Sequence, residues 1–253
     1  MNNYYSYSQY GEDSVLLNLF GEDYKGIIVD VGALDGFHLS NSFLLSQLGW
    51  KCLAIEAHPN FANICEKNRP ESICIKKAVS NTKGFVEMEL NHRGSHTTIV
   101  DEKTNKSVLI ECDTLDNLIE ENLGPDVDID VISIDIDGSE RFALQSFDLD
   151  RWKPKVIIVE ITEVPEIIED YLSKYGYHKS ITIKNTNTFL VRDEHLLDKI
   201  KSIQEQSQSV ENKLITKNFK SFRTSNIVDV REYEYYNMVQ THKDLIKEIK
   251  NGN

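Results

Sequence analysis

Three stretches, Ile-Ile-Val-Asp-Val at 27–31, Val-Ile-Ser-Ile-Asp-Ile at 131–136 and Val-Ile-Ile-Val-Glu-Ile at 156–161, are apolar almost throughout. A strand with one wet face alternates apolar and polar residues. Runs like these belong to strands covered on both faces, as in parallel sheets. Shorter runs at 52–56 and 73–79 have the same character, and segments at 40–48, 59–68, 115–122, 141–147 and 164–175 suit helices between them. Strand alternating with helix predicts an α/β fold, a mainly parallel, Rossmann-like sheet with helices on both faces. Right-handed crossovers bring the carboxyl ends of such strands to one edge, where ligands bind. Asp30, Glu56, Asp135 and Glu160 each close such a run, so four acids are expected along that edge.

Other segments complete the plan. Residues 13–20 read as a helix capped by Asp13 or Ser14. Residues 85–90 and 108–112 read as strands, with a loop after the first that holds His92 and His96. Residues 177–183 and 188–191 read as closing antiparallel strands. After 192 the character changes to helical segments at 194–209 and 233–249, separated by a basic stretch with Lys213, Lys217, Lys220 and Arg223. The expected parts are a lead-in over the cofactor (1–25), a central domain (26–192) and a helical C-terminal extension (193–253). Tyr4, Tyr5, Tyr7 and Tyr10 suit a cover over the cofactor or packing between subunits of a homo-oligomer, and packing is preferred.

The 253 residues carry a formal charge of −13, which repels phosphate backbones and argues against a nucleic-acid polymer as partner. Cys52, Cys65, Cys74 and Cys112 form no C-x-x-C pair, so they read as packed free thiols. No signal peptide and no apolar run of the ~20 residues a membrane helix needs are visible, so a cytoplasmic protein without a membrane span is expected.

The first run leads into Gly32-Ala33-Leu34-Asp35-Gly36, and Glu56 follows about 20 residues later. The glycines admit positive φ angles and close approach of backbone to a ligand. Asp30 is placed to act on the amino-acid end of a ligand, and the two oxygens of Glu56 can accept both hydroxyls of a ribose. A dinucleotide site requires G-x-G-x-x-G so that pyrophosphate can sit on a helix N-terminus. Here Leu34 replaces the second glycine and Asp35 brings a negative charge. The turn therefore suits S-adenosyl-L-methionine, a sulfonium with an amino-acid tail. An NAD(P)-dependent oxidoreductase and a non-catalytic ligand-binding protein are the rival readings.

Ser8-Gln9-Tyr10-Gly11-Glu12-Asp13, Val29-Asp30-Val31-Gly32-Ala33-Leu34-Asp35-Gly36, Leu39-Ser40-Asn41-Ser42, Gly49-Trp50-Lys51, Ile55-Glu56-Ala57-His58-Pro59 and Ser133-Ile134-Asp135-Ile136-Asp137-Gly138-Ser139-Glu140 occur in this order. The ordered set resembles the FkbM-type methyltransferases over about residues 8–192. That resemblance implies a class I methyltransferase fold and O-methyl transfer from S-adenosyl-L-methionine, often in polyketide, glycan or capsule biosynthesis. It implies that Asp30, Gly32, Ala33, Glu56, Ala57 and Asp135 bind the cofactor. It further implies that Gln9, Glu12 and Asn41 line its methionine end and that Ala78 packs its adenine. The family more usually carries Glu where this chain has Asp137.

Transfer to a hydroxyl needs in-line alignment and removal of the acceptor's proton. Asp135 is the first candidate for the base, with Asp137 and His96 as further catalytic candidates. Asp137 or Ser139 alternatively caps the helix that follows. Asp135, Asp137 and Glu160 are candidate ligands for Mg²⁺ or Mn²⁺, which prefer oxygen donors. The expected acceptor is a sugar hydroxyl, on a nucleotide-linked sugar if the basic stretch at 213–223 meets a diphosphate.

Overall fold

The computed structural model describes residues 4–89, 98–100, 107–161, 165–205, 220–221 and 232–251. In chain order the elements begin with β1 (Tyr5–Ser6), α1 (Glu12–Phe20), β2 (Ile27–Val31), α2 (Phe43–Gln47), β3 (Lys51–Ile55), α3 (Pro59–Asn68) and β4 (Ile73–Ile75). A second group follows: β5 (Ala78–Val79), β6 (Gly84–Glu89), β7 (Thr98–Val100), β8 (Ser107–Asp113) and α4 (Leu115–Leu123). The chain continues through β9 (Val131–Ile134), α5 (Glu140–Gln145), α6 (Leu149–Trp152), β10 (Val156–Glu160), α7 (Pro165–Ser173), β11 (His178–Ile183) and β12 (Asn187–Val191). Last come α8 (Glu194–Glu205), β13 (Lys220–Ser221) and α9 (Glu232–Lys250).

Seven strands form one sheet in the order β11-β12-β10-β9-β2-β3-β4. Strand β12 runs antiparallel to both neighbours, and the pairs from β10 across to β4 are parallel. This is the mainly parallel sheet that the alternating pattern predicts, in the class I methyltransferase arrangement that the resemblance implies. The chain first winds outward from β2 to β4 and then returns to the other side of β2 with β9. The switch point, where a ligand crevice opens in such sheets, is therefore between β2 and β9.

One prediction is corrected here. The run 73–79 is not one strand. It breaks after Ile75, and Ala78–Val79 leaves for a second sheet of order β5-β8-β6-β7. The expected strands at 85–90 and 108–112 also belong to that sheet, paired antiparallel with each other.

Apolar side chains cover both faces of the large sheet. Val29, Val31, Leu53, Ile132 and Ile157 pack beneath α4, α5 and α7, while Ile28, Cys52, Ala54, Val131 and Ile158 pack against α1, α3 and α8. Helix α8 buries Leu196 and Ile200 in this second layer, so it packs as part of the central domain's core. Helix α9 buries Val239 and Ile246 against Tyr4, Tyr7, Phe37 and Phe43. Of the four lead-in tyrosines expected to cover the cofactor or to pack between subunits, Tyr4 and Tyr7 are thus buried within the chain, and Tyr5 and Tyr10 are half-buried.

Local chemistry sets the helix starts. Pro59 begins α3, where a missing N–H costs nothing, and the His58 ring accepts from the Asn60 N–H at 3.2 Å. The Thr114 hydroxyl accepts from the Asn117 N–H at 3.2 Å to start α4. Helix α1 departs from expectation. Gly11, at φ 101°, occupies the cap position, and Asp13 turns back to accept from Ser6 Oγ at 2.5 Å, Ser8 Oγ at 2.8 Å and the Tyr7 N–H at 2.7 Å. It therefore ties the lead-in down instead of capping. Among the described residues no helix is long and apolar enough to cross a membrane.

Candidate active site

A cavity of about 280 Å³ opens at the carboxyl edge of the large sheet. Val31, Gly32 and Leu34 line it from the end of β2, Ile55, Glu56 and Ala57 from the end of β3, and Asp135, Ile136 and Asp137 from the end of β9. Glu160 closes one side at the end of β10. Ala78, Val79 and Met88 contribute an apolar wall from the second sheet. Gln9 reaches the rim from the lead-in.

The switch point is tight. A Cβ on Gly32 would stand 1.8 Å from the Asp135 carbonyl oxygen, and Gly32 has a φ of +89°. Only glycine fits where the turns after β2 and β9 touch. Gly36, at φ +75°, meets the Arg69 side chain and the Cys65 sulfur in the same way, each at 2.7 Å from an added Cβ.

Glu56 is the first residue after β3. Its Oε2 accepts from the Leu34 N–H at 2.8 Å and its Oε1 from the His58 N–H at 2.7 Å. Two backbone donors thus fix the carboxylate, and each oxygen keeps acceptor capacity toward the cavity. Burial pushes its pKa up to about 7 against the two hydrogen bonds that favour the charged form, with Asp35 and Asp137 adding like charge.

Asp135 follows β9 and is hydrogen-bonded to the Glu160 carboxyl. Burial first, and then the neighbouring Glu160, hold Asp135 well above the usual carboxylate range. Asp137 stands in the left-handed region at φ 53°. The loop between them is wound around Glu140, whose Oε1 accepts from the Ile136 N–H at 3.0 Å and the Gly138 N–H at 3.1 Å. Ser139 holds the cap position of α5 without a side-chain hydrogen bond. Sequence reasoning missed this organising role for Glu140.

The sequence-predicted residues divide by position. Gln9, Gly32, Glu56, Ala57, Ala78, Asp135, Asp137 and Glu160 come together around the cavity. Asp30, Ala33, Asn41 and Glu12 are not among its lining residues. Asp30 is one residue short of the strand end, so the pleat turns its side chain to the face opposite that of Val31. There it accepts from Ser42 Oγ at 2.5 Å, and the wholly buried Arg69 donates to that same oxygen at 2.6 Å. The four acids expected on the edge are therefore Glu56, Asp135, Glu160 and, instead of Asp30, Asp137. Ala33 is buried against the sheet. Asn41 donates to Ser133 Oγ at 2.9 Å. Glu12 is fully buried, accepting from Asn187 Nδ2 at 2.6 Å and the Tyr10 N–H at 2.9 Å. His92, His96 and most of the basic stretch at 213–223 lie outside the described residues. His38, Lys77 and Met88 line the cavity without having been singled out, and Leu34, Leu39 and Ser139 line it without having been assigned to ligand binding.

The arrangement fits S-adenosyl-L-methionine. It offers a held carboxylate for a ribose diol, small and apolar residues for an adenine, and a surplus of negative charge for a sulfonium. It does not fit pyrophosphate, because the Asp35 carboxylate already accepts from the Phe37 and His38 N–H groups at 2.9 and 2.8 Å. The first helix after β2 also starts only at Phe43, away from the glycines. The expected Mg²⁺ or Mn²⁺ site finds no support: among the described residues no group of three or more His, Cys, Asp or Glu is gathered to hold a metal ion.

No curated protein matches the chain. Among solved structures it is similar to a TehB-like SAM-dependent methyltransferase from Corynebacterium glutamicum, 11% identical, with a TM-score of 0.43 over 74% of this chain and 89% of that one. It is similar to M. capricolum TrmK in complex with S-adenosyl-homocysteine, 13% identical, with a TM-score of 0.40 over 93% and 96%. It is also similar to a precorrin-6y C5,15-methyltransferase from Geobacter metallireducens, 14% identical, with a TM-score of 0.40 over 71% and 86%. The family model for the methyltransferase FkbM domain matches residues 30–179, which is 150 of the 253 residues and spans the strands that build the cavity. The chain belongs to the FkbM methyltransferase family.

Proposed function

We propose that this protein transfers the methyl group of S-adenosyl-L-methionine to a sugar hydroxyl. The observation that carries the reading is the hydrogen-bonded Asp135–Glu160 pair, set in the same cavity as the fixed Glu56 carboxylate. The bound cofactor supplies an electrophilic methyl carbon on a sulfonium and leaves as S-adenosylhomocysteine. Glu56 takes the ribose diol, Leu34 and Ala57 flank the nucleoside, and Ala78 and Met88 pack its base. Asp135 and Glu160 then do the proton work. A carbohydrate hydroxyl is a very weak acid, so its proton must leave as the new bond forms. Asp135 accepts that proton, and its raised pKa makes it, once ionised, a stronger base than an exposed carboxylate. Asp137 stands beside them as a second polar contact for the acceptor.

The resemblance to the family and the basic stretch at 213–223 support a sugar acceptor, and a nucleotide-linked one in capsule or surface-polysaccharide assembly. The test is incubation with labelled S-adenosyl-L-methionine and a panel of free and nucleotide-linked sugars, with and without a chelator. Label in the sugar, insensitive to chelator, supports the reading. Label in none of them, while S-adenosylhomocysteine binds, refutes the acceptor class.

A further inference from the structure

Behind the cavity, on the edge of the large sheet, two free thiols face each other. Cys65 is on α3 and Cys74 on β4, and their sulfurs are 3.6 Å apart. Cys65 is 1% exposed, whereas Cys74, on an edge strand, is half-buried and open to a small oxidant. We propose that Cys65 and Cys74 are a thiol–disulfide pair, oxidised in the folded protein by a low-molecular-weight disulfide such as glutathione disulfide, and that the bond they form adjusts cofactor binding.

The chemistry closes without further reactants. The Cys74 thiolate attacks one sulfur of glutathione disulfide and expels a glutathione thiolate, leaving a mixed disulfide. The Cys65 thiol gives its proton to solvent, attacks the Cys74 sulfur and expels the second glutathione. Two protein thiols lose two electrons, and one glutathione disulfide becomes two glutathiones. The hydrogen bond from Cys65 holds the Cys74 thiol below the ordinary thiol range against burial, and the Arg69 guanidinium adds to that effect. The more accessible sulfur is thus the one inclined to attack first. The sulfurs must close by about 1.6 Å to reach a bond of about 2.05 Å.

Neither sulfur lines the cavity, but each packs against or adjoins a segment that leads into it. The Cys65 sulfur and Arg69 occupy the space against Gly36, in the turn after β2. On the other side, Cys74 precedes Ile75, whose carbonyl accepts from the Glu56 N–H at 2.9 Å. Drawing the sulfurs together shifts packing behind that turn and next to the anchor of the ribose carboxylate. The effect on cofactor binding rests on the function proposed above, whereas formation of the disulfide does not.

The full-length reduced protein is incubated with glutathione disulfide, then alkylated and digested without reductant for mass spectrometry, with circular dichroism recorded in parallel. The expected result is a Cys65–Cys74 cross-linked peptide in protein that keeps its fold, absent in C65S and C74S, with C65S stopping at a glutathione adduct on Cys74. Oxidised protein should bind S-adenosylhomocysteine roughly 2- to 30-fold less tightly, restored by dithiothreitol. Four alkylated thiols, an unresolved adduct in wild type, or a cross-link that appears only with loss of the fold would overturn the pair. Unchanged binding after complete cross-linking would overturn its coupling to the site. Reduced protein that fails to bind S-adenosylhomocysteine at all would instead count against the proposed function.

Discussion

Glu56 makes a quantitative prediction about pH. Its carboxyl titrates near 7 in the free protein, where it would titrate at 4.5 without its surroundings. A ribose diol donates two hydrogen bonds, so it binds the ionised form. If only that form binds, the dissociation constant scales as one plus the ratio of neutral to ionised acid. Affinity for S-adenosylhomocysteine should therefore be about 2-fold below its plateau at about pH 7 and about 11-fold below it at about pH 6. The stability linkage has the opposite sign. Because the folded pKa is raised, the neutral acid favours folding, and that contribution is complete below about pH 4.5. It is lost as the pH rises through about 7, at a cost of about 3 kcal/mol in the free protein. Ligand binding offsets part of that cost, so thermal stabilisation by S-adenosylhomocysteine should grow with pH across this window. Glu56→Gln removes the charge and should weaken binding by about 10- to 150-fold at about pH 8, the range for a hydrogen bond to a charged group of about 1.5–3 kcal/mol. It should also flatten the Glu56 component of the profile. Isothermal titration calorimetry of both proteins between about pH 6 and 8.5 measures this. A wild-type affinity independent of pH, or an identical profile in the variant, would refute the assignment of the ribose to Glu56.

Three further predictions concern the surroundings. Asp135→Asn should lower kcat by about 10²- to 10⁴-fold while S-adenosylhomocysteine affinity changes by only a few-fold, measured by radiolabel turnover and calorimetry. Gly32→Ala should destabilise the protein by several kcal/mol in urea unfolding, since its Cβ would fall on the Asp135 carbonyl and its φ is left-handed. Arg69→Met should cost about 3–5 kcal/mol because the buried Asp30 loses its compensating charge, and adding Asp30→Asn should recover part of that loss in a double-mutant cycle.

The large sheet was legible because burial on both faces leaves a plain mark: runs such as 27–31 and 156–161 can only be central strands. The crevice followed from topology, and Glu56, Asp135 and Glu160 from their place where those runs stop. Asp30 was misplaced for a simple reason. Strand ends are uncertain by a residue, and one residue reverses the face to which a side chain points. The second sheet was hidden because 73–79 reads as one apolar run. The turn at Lys76 and Lys77 that sends Ala78 into different pairing carries no glycine or proline to announce it. Met88 and Lys77 at the cavity were equally silent, since nothing local tells a strand residue that it will face a ligand. The linkage from Arg69 through Ser42 to Asp30 joins residues up to 39 positions apart, and only the folded packing reveals it.

The apolar wall of the chamber comes from a short, contiguous piece of chain, Ala78 to Met88, hung on the rim of the main sheet. This stretch is assigned to the base of the nucleoside, whereas Glu56, Asp135 and Glu160, assigned to the ribose and to proton removal, stand at the ends of parallel strands of the large sheet. Exchanging that stretch would reshape the seat of the base while the carboxylates at the strand ends stayed as they were. Purchase on the donor's base is then adjustable from one small appendage, with the central weave left untouched.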